Sequence, residues 1–370
     1  MSLIRPVLPL LLLLSSWLAA SAAETRPPVQ LAIIGLVHDH VWGLLPALAG
    51  RTDIELAGIV EPDQELCRQI AARFHLDAAL FHPTLEALRA HRKIDAVALF
   101  TSTFDHRRWV ETCAPLGLPV MMEKPMAVSF ADAQAMAAAA QKGGIPLVVN
   151  FETTWYASNH AAYDLVRRQN ALGELRKLVV RDGHSGPAAI CSPHFLKWLT
   201  DPVLNGGGAL MDFGCYGANL STWLMDGQRP TSVFAVTQHF QPDVYPKVDD
   251  EATIVLTYPK TQTIIQASWN WPHGRKDMDL YGTRGALRVP DHNSLFLRQD
   301  NAPEAAVPVA ALAAPDGDML TYFVAVARGE VKSSGLSSPE INVIVAEILD
   351  AARESARTGQ RVDLNVSLAN

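Results

Sequence analysis

The first half of the chain alternates short, nearly continuous apolar runs with amphipathic stretches. The runs at 31–35, 54–60, 94–100, 119–122 and 145–149 are rich in Val, Ile and Leu, as strands buried on both faces of a parallel sheet require. Between them the pattern predicts helices over 41–50, 63–74, 84–91, 105–116 and 130–143. Strand and helix in strict alternation make a doubly wound α/β sheet. After Asn150 the pattern changes. A helix over 155–170 and a strand over 176–182 lead through an irregular His/Pro/Gly stretch to Asn205, and a further helix starts near Ala209. Strands then follow at 232–239, 252–258, 261–269, 278–281 and 286–289. Adjacent strands in series predict a second, α+β domain with an open, mostly antiparallel sheet. The division is 24–150 for the first domain and 151–370 for the second. A last helix over 338–358, with Ser338 as cap, Pro339 in its first turn and Gly359 at its stop, is placed to pack back on the first domain.

The first 23 residues stand apart: one positive charge at Arg5, an apolar run from Val7 to about Ala20, and small residues at 21–23. They read as an export signal cut near Ala22 or Ala23, too short for a stable membrane span. The expectation is a secreted, periplasmic protein with no membrane contact after cleavage. Losing the signal removes only Arg5, so the net charge moves from −7 to −8. That mild acidity, without a Lys/Arg cluster, argues against nucleic acid and anionic membrane surfaces as partners. Cys67, Cys113, Cys191 and Cys215 show no CxxC pair and no metal-ligand spacing. A domain of this size has core enough without disulfides, so they are expected as free thiols.

Candidate chemistry gathers where strands end. "GLVHDH" at 35–40 follows the first strand, where a dinucleotide fingerprint asks for G-x-G-x-x-G. Gly35 keeps the first position, but Val37 and His40 replace the second and third glycines. Valine there crowds a pyrophosphate, while His38 and His40 offer donors in exchange. The H-x-H pair gives only two ligands where zinc wants three or four, so no metal site is read from it. Glu61 ends the second strand, placed for ribose hydroxyls and against a 2′-phosphate, which favours NAD over NADP. "TSTFDH" at 101–106 offers Thr101 and His106 to the same crevice, and "MMEKPMA" at 121–127 sets Glu123 and Lys124 at another strand end. "GGGALMDFGCYGANL" at 206–220 supplies Asp212 and Tyr216, four residues apart and so on one helix face. Its glycines allow close backbone approach.

The order strand-Gly, T-x-x-x-x-H, E-K-P and G-G-G-x-x-x-D-x-G-x-[HY], with "DLYGTRGALRV" late in the chain, resembles the Gfo/Idh/MocA family of sugar and cyclitol dehydrogenases. The resemblance implies an N-terminal Rossmann domain and a second domain whose sheet builds the substrate pocket and often joins homo-oligomers. It also implies catalytic roles for Lys124, Asp212 and Tyr216. The cofactor-facing set is then Gly35, Val37, His38, His40, Glu61, Thr101, His106, Glu123 and Lys124. A tyrosine works as acid or base near neutrality only if a cation lowers its pKa from about 10, a role expected of Lys124. His184, His194, Trp198, Trp269 and Trp271 are expected as pocket walls, because sugar faces stack on aromatic rings. The leading expectation is an NAD-dependent oxidoreductase acting on a CH–OH group of a sugar, cyclitol or polyol. The alternatives are an NAD-assisted glycoside hydrolase or lyase, and a carbohydrate-binding protein without redox function.

Overall fold

The computed structural model describes residues 26–364, so the expected export signal and its cleavage point lie outside the described residues. The first six strands are β1 (Val29–Ile34), β2 (Ile54–Val60), β3 (Phe81–His82), β4 (Ala96–Leu99), β5 (Val120–Glu123) and β6 (Leu147–Asn150). They pair in parallel in the order β3-β2-β1-β4-β5-β6. The order reverses between β1 and β4, and ligands of open α/β sheets settle outside the carboxyl ends at such a point. Helices α1 (Val41–Ala47), α2 (Gln64–Phe74), α3 (Leu85–His91), α4 (His106–Cys113) and α5 (Phe130–Gly143) connect them. Their starts follow the sequence. Asp63, Thr84 and Ser129 each accept a backbone N–H of the first turn that they cap.

In the second half, α6 (Ala157–Tyr163) stops short of the single helix expected to residue 170, because its last turn widens into a π-helical turn over Asp164–Arg168. Strand β7 (Leu175–Gly183) precedes the short helices α7 (Pro193–Leu199) and α8 (Ala209–Asp212) and the longer α9 (Gly214–Leu224). The remaining strands are β8 (Ser232–Gln238), β9 (Glu251–Thr257), β10 (Gln262–Ser268), β11 (Arg275–Gly282), β12 (Gly285–Asp291), β13 (Ser294–Gln299), β14 (Ala305–Ala306) and β15 (Val362–Asp363). They form a nine-stranded sheet in the order β14-β13-β12-β11-β7-β10-β9-β8-β15. Only the β7–β10 pairing in it is parallel. The open, mostly antiparallel sheet was the expected one.

Two late helices bind the halves together. Helix α10 (Met319–Ala327) buries Leu320, Phe323, Val324 and Val326 in the same core as Leu31, Ile33 and Val41 of the first domain. Helix α11 (Pro339–Thr358) lies against α5, α9 and β8. Its Asp350 accepts the Phe130 N–H at 2.7 Å, and Arg353 donates to the Val128 carbonyl at 2.8 Å. All four cysteines are free thiols.

Candidate functional site

Lys124 follows directly on β5, at the start of the turn after the parallel sheet's edge, and only 6% of its side chain is exposed. Its Nζ donates to Asp212 Oδ1 at 2.5 Å and to the Asp212 carbonyl at 3.1 Å. The other carboxylate oxygen of Asp212 accepts from Trp269 Nε1 at 2.9 Å. Burial pushes the Asp212 pKa up, but the Lys124 charge and hydrogen bonds outweigh it and hold the carboxyl below its usual value. Burial likewise pulls Lys124 down, and the Asp212 charge overrides it, so the ammonium stays charged far above neutrality. The pair is a buried ion pair between the two domains, with both Asp212 oxygens and two of the three Lys124 donors engaged.

Asp212 reaches this place because the glycine run lets another backbone lie on it. A Cβ at Gly208 would stand 1.8 Å from the Asp249 carbonyl oxygen. The Asp249 carboxylate accepts the N–H groups of Gly208 and Leu210 at 2.9 and 2.7 Å and so caps α8. One continuous helix was expected through Asp212 and Tyr216. Instead it breaks at Phe213 into α8 and α9, yet both side chains still meet Lys124.

Tyr216 is buried, with Lys124 Nζ over its ring at 5.0 Å from the centroid. The cation therefore faces the ring rather than the hydroxyl, whose nearest donor is Lys276 Nζ at 3.5 Å. Here the structure corrects the sequence-based expectation. Burial, then Glu152 and Cys215, push the Tyr216 pKa well above its ordinary value instead of lowering it. Lys276 of β11 also pairs with Glu152. Neither residue was foreseen, although Lys276 stands in direct register with Asp182 of β7.

These groups line a cavity of about 1130 Å³ between the domains, with Lys124, Asp212, Phe213, Tyr216, His184 and Tyr156 among its walls. The far wall is a lattice of paired charges. Arg181 donates to Asp277 at 3.0 Å and Asp279 at 2.8 Å, and Arg275 also pairs with Asp277. His184 lies edge-on to Phe213, as a pocket wall should. The tryptophans do not. Trp269 is fully buried beneath the site and fixes Asp212; Trp198 is buried and donates to the Val37 carbonyl at 3.0 Å. His194 and Trp271 also lie outside the cavity's lining. His194 is instead close enough to Glu61 to bias its charge.

The V-H-D-H loop runs from β1 into α1. Gly35 has φ +83°, and a Cβ on it would meet Thr101 Cγ2 at 2.6 Å and the Phe100 oxygen at 2.9 Å, so only glycine suits the turn. Thr101 is thus a buttress of the turn. The loop is pinned from the second domain. Asp39 accepts the Ser192 N–H and hydroxyl, both at 2.6 Å, and His38 packs against Phe195 at 4.5 Å and Trp198 at 5.4 Å between ring centroids. The His38 ring is buried, and burial, followed by the nearby His40, Lys124 and His106, holds its pKa well below the usual histidine range. His40 is half-exposed and its Nδ1 lies 2.9 Å from Glu123 Oε2. The other Glu123 oxygen accepts from Asn150 at 2.8 Å. His38 Nδ1 accepts the His40 backbone N–H at 3.3 Å, so each histidine spends one ring nitrogen on the protein itself rather than presenting both to a phosphate. His106 is buried as well, with Nδ1 3.1 Å from the Met126 carbonyl and Nε2 without a partner.

Glu61 lies at the carboxyl end of β2, where its two oxygens accept the N–H groups of Leu36 at 3.0 Å and Asp63 at 2.9 Å. Each oxygen keeps a further lone pair. Glu61, Pro62, Asp63 and Gln64 bring no cation to this strand end. With the Gly35 turn and the unpartnered His106 nitrogen, these residues suit a dinucleotide along the switch point of the sheet, although the replaced glycines make its cradle an unusual one.

One further group drew no notice in the sequence. Asp182 of β7 is fully buried and neither carboxylate oxygen has a partner. Burial, the largest cause, pushes its pKa well above the usual carboxylate range. Its inward position could have been read from the alternation Leu178, Val180, Asp182, whose members are all buried.

Residues 29–151 match the family model described as "Oxidoreductase family, NAD-binding Rossmann fold", and residues 159–288 match the "GFO/IDH/MocA C-terminal domain". A D-xylose 1-dehydrogenase [NADP(+)] of Haloarcula marismortui is 27% identical over 72% of this chain and 73% of its own length. A trans-1,2-dihydrobenzene-1,2-diol dehydrogenase of Sus scrofa is 24% identical over 89% of this chain and 94% of its own. Among solved structures, an inositol dehydrogenase homolog of Azotobacter vinelandii superposes with a TM-score of 0.79 at 19% identity, covering 92% of this chain and 98% of that one. Aldose-aldose oxidoreductase of Caulobacter crescentus gives 0.77 at 24% identity over 91% and 100%. With both halves matched in order, the chain belongs to the Gfo/Idh/MocA family of oxidoreductases.

Proposed function

We propose that the protein is an NAD-dependent oxidoreductase that interconverts a CH–OH group and a carbonyl on a sugar, cyclitol or polyol. The observation that carries this reading is the Lys124–Asp212 pair, 2.5 Å apart on the cavity floor beside Tyr216. Similar proteins whose names describe xylose, dihydrodiol and inositol dehydrogenases support the substrate class. Gly35, Glu61 and the loop to His40 would hold the dinucleotide, and Glu61 favours a free ribose hydroxyl over a 2′-phosphate. When bound, the nicotinamide supplies or accepts hydride.

The chain's own residues handle charge and the proton. Lys124 stays protonated, so it is an electrostatic partner for developing alkoxide and not a base. Asp212 holds it in place and is itself fixed by Trp269. The Tyr216 hydroxyl, kept protonated by burial, gives a proton to a carbonyl oxygen in the reductive direction. In the oxidative direction it takes that proton back only as the phenolate, so oxidation is favoured by alkaline pH.

The test is to purify the full chain from its native compartment and identify by mass any dinucleotide that stays with it. NAD or NADH released on denaturation supports the reading. A protein that neither retains nor binds added NAD would sink it. Export through the 1–23 leader is part of the proposal and is checked by cell fractionation and the mature N-terminal mass. Phe234, Val236 and Tyr281 leave apolar surface exposed on the large sheet, which supports self-association through it; light scattering gives the mass.

A further inference from the structure

The fold adds a third donor to the two histidines of the V-H-D-H loop. His38, His40 and Glu123 each offer one ligand atom, and the three atoms lie within 4.8 Å of one another. Glu123 comes from β5, two strands away from β1 in the sheet and 83 residues from His40 in sequence. Among the described residues no other such group occurs.

We propose that His38, His40 and Glu123 form a binding site for a divalent transition-metal ion of the zinc, cobalt or iron(II) type. Two imidazoles and one carboxylate, with positions left over, are the donor set such ions take in open sites. The geometry is near what is needed. Ligand atoms on one tetrahedral ion with bonds of about 2.0–2.1 Å stand roughly 3.3 Å apart. His40 Nδ1 and Glu123 Oε2 are 2.9 Å apart already. The longest separation, at most 4.8 Å, must shorten by about 1.5 Å; the His40 side chain, 45% exposed at the start of α1, is the freest of the three to adjust.

What surrounds the ligands is also suited. Asn150 Nδ2 fixes the second oxygen of Glu123 at 2.8 Å, an outer partner of the kind that orients a ligating carboxylate. Phe195, Trp198 and Phe100 pack around His38 and exclude water from that side. The nearby positive charge of Lys124 is already neutralised by Asp212. His40 lines the substrate cavity, so an ion here adjoins that cavity. It also brings positive charge to a loop where two fingerprint glycines are missing.

The inference goes beyond the oxidoreductase reading, since its test needs neither dinucleotide nor sugar. Tag-free, chelator-treated protein is titrated with Co²⁺ and followed by visible absorption and by metal analysis. The expected result is one equivalent per chain at micromolar or tighter affinity, with the intense visible bands of a four- or five-coordinate ion. His40→Ala, at a half-exposed position, should stay folded by circular dichroism, with some loss of melting temperature from the unpaired Glu123, yet weaken Co²⁺ at least tenfold. Glu123→Gln, which keeps size and an amide for Asn150, should do the same. Failure to bind one equivalent, or undiminished affinity in the folded His40→Ala protein, overturns the proposal. In that case the cluster is only the hydrogen-bonded brace of the loop.

Discussion

Removing the charge of Lys124 should damage the fold as well as the chemistry, and a second substitution should repair the fold alone. In Lys124→Met the Asp212 carboxylate keeps Trp269 Nε1 at 2.9 Å but loses the ammonium at 2.5 Å, in a place where its side chain is 7% exposed. Breaking one side of such a buried pair costs about 3–5 kcal/mol. Asp212→Asn leaves the ammonium among the Asp212 carbonyl and the faces of Phe213 and Tyr216, at a similar cost. The double variant buries no net charge, and its loss should shrink to about 1–2 kcal/mol, well below the sum of the singles. The pH dependence has a definite sign. In the wild type the lowered Asp212 pKa gives stability that is present above the unfolded value of about 3.9 and is lost as pH falls through the folded value. In Lys124→Met burial is opposed only by the Trp269 hydrogen bond and the nearby His184, so that pKa rises relative to the wild type and the penalty eases on acidification. Urea unfolding of the four proteins at pH 7 and pH 5, with the wild type also at pH 3, followed by tryptophan fluorescence, reads all of this. Additive penalties, or a Lys124→Met loss independent of pH, would refute the coupling. Turnover by either Lys124→Met protein at the wild-type rate would refute the catalytic role.

Three further substitutions probe other parts of the account. Gly35→Ala places a Cβ 2.6 Å from Thr101 at φ +83°, and should cost about 1–3 kcal/mol in thermal or urea unfolding; an unchanged midpoint would mean the turn relaxes freely. His106 is buried and its pKa is lowered, first by burial. Its stabilising share is therefore present above the unfolded value of about 6.5 and is lost as pH falls toward the folded value, at up to about 1.4 kcal/mol per pH unit. His106→Gln should show a correspondingly shallower decline of unfolding free energy below pH 6.5, and an identical slope would contradict its neutral burial. Tyr216→Phe should lower turnover by about 10²–10⁴-fold while leaving dinucleotide affinity unchanged. In the wild type, oxidation should rise with pH without levelling off below pH 10, because the Tyr216 pKa is raised.

The elements that follow from local pattern were legible in the sequence. The parallel strands, the capped helices and the Lys124 and Asp212 positions all rest on periodicity and on motifs at strand ends. Helix α10 was missed because nearly all its residues are apolar and buried; without a polar face it gives no amphipathic signal. Lys276 and Glu152 were missed because Glu152 follows β6 of the first sheet while Lys276 lies on β11 of the second, and no local run announces that the two come together. The tryptophans show the same limit in reverse. An indole needs one hydrogen-bond partner when buried, and Trp198 and Trp269 find theirs in the Val37 carbonyl and Asp212, not in a cavity. The Tyr216 pKa was expected to fall because Lys124 was taken to face its hydroxyl. Which face of a ring a cation meets is a tertiary fact, and here burial decides the sign.

The central claim is a redox reaction at the Lys124–Asp212–Tyr216 site, and a single turnover tests it most directly. Protein saturated with NAD is mixed at alkaline pH with a panel of sugars, cyclitols and glycosides, and the reduced nicotinamide is followed by its near-ultraviolet absorption and fluorescence. The account predicts a substrate that reduces the bound cofactor in step with carbonyl formation, up to one equivalent per site, and no such signal from Lys124→Met. Glycoside cleavage over many turnovers with no net reduced cofactor, or no reduction of verified bound NAD by any member of the panel, would contradict it.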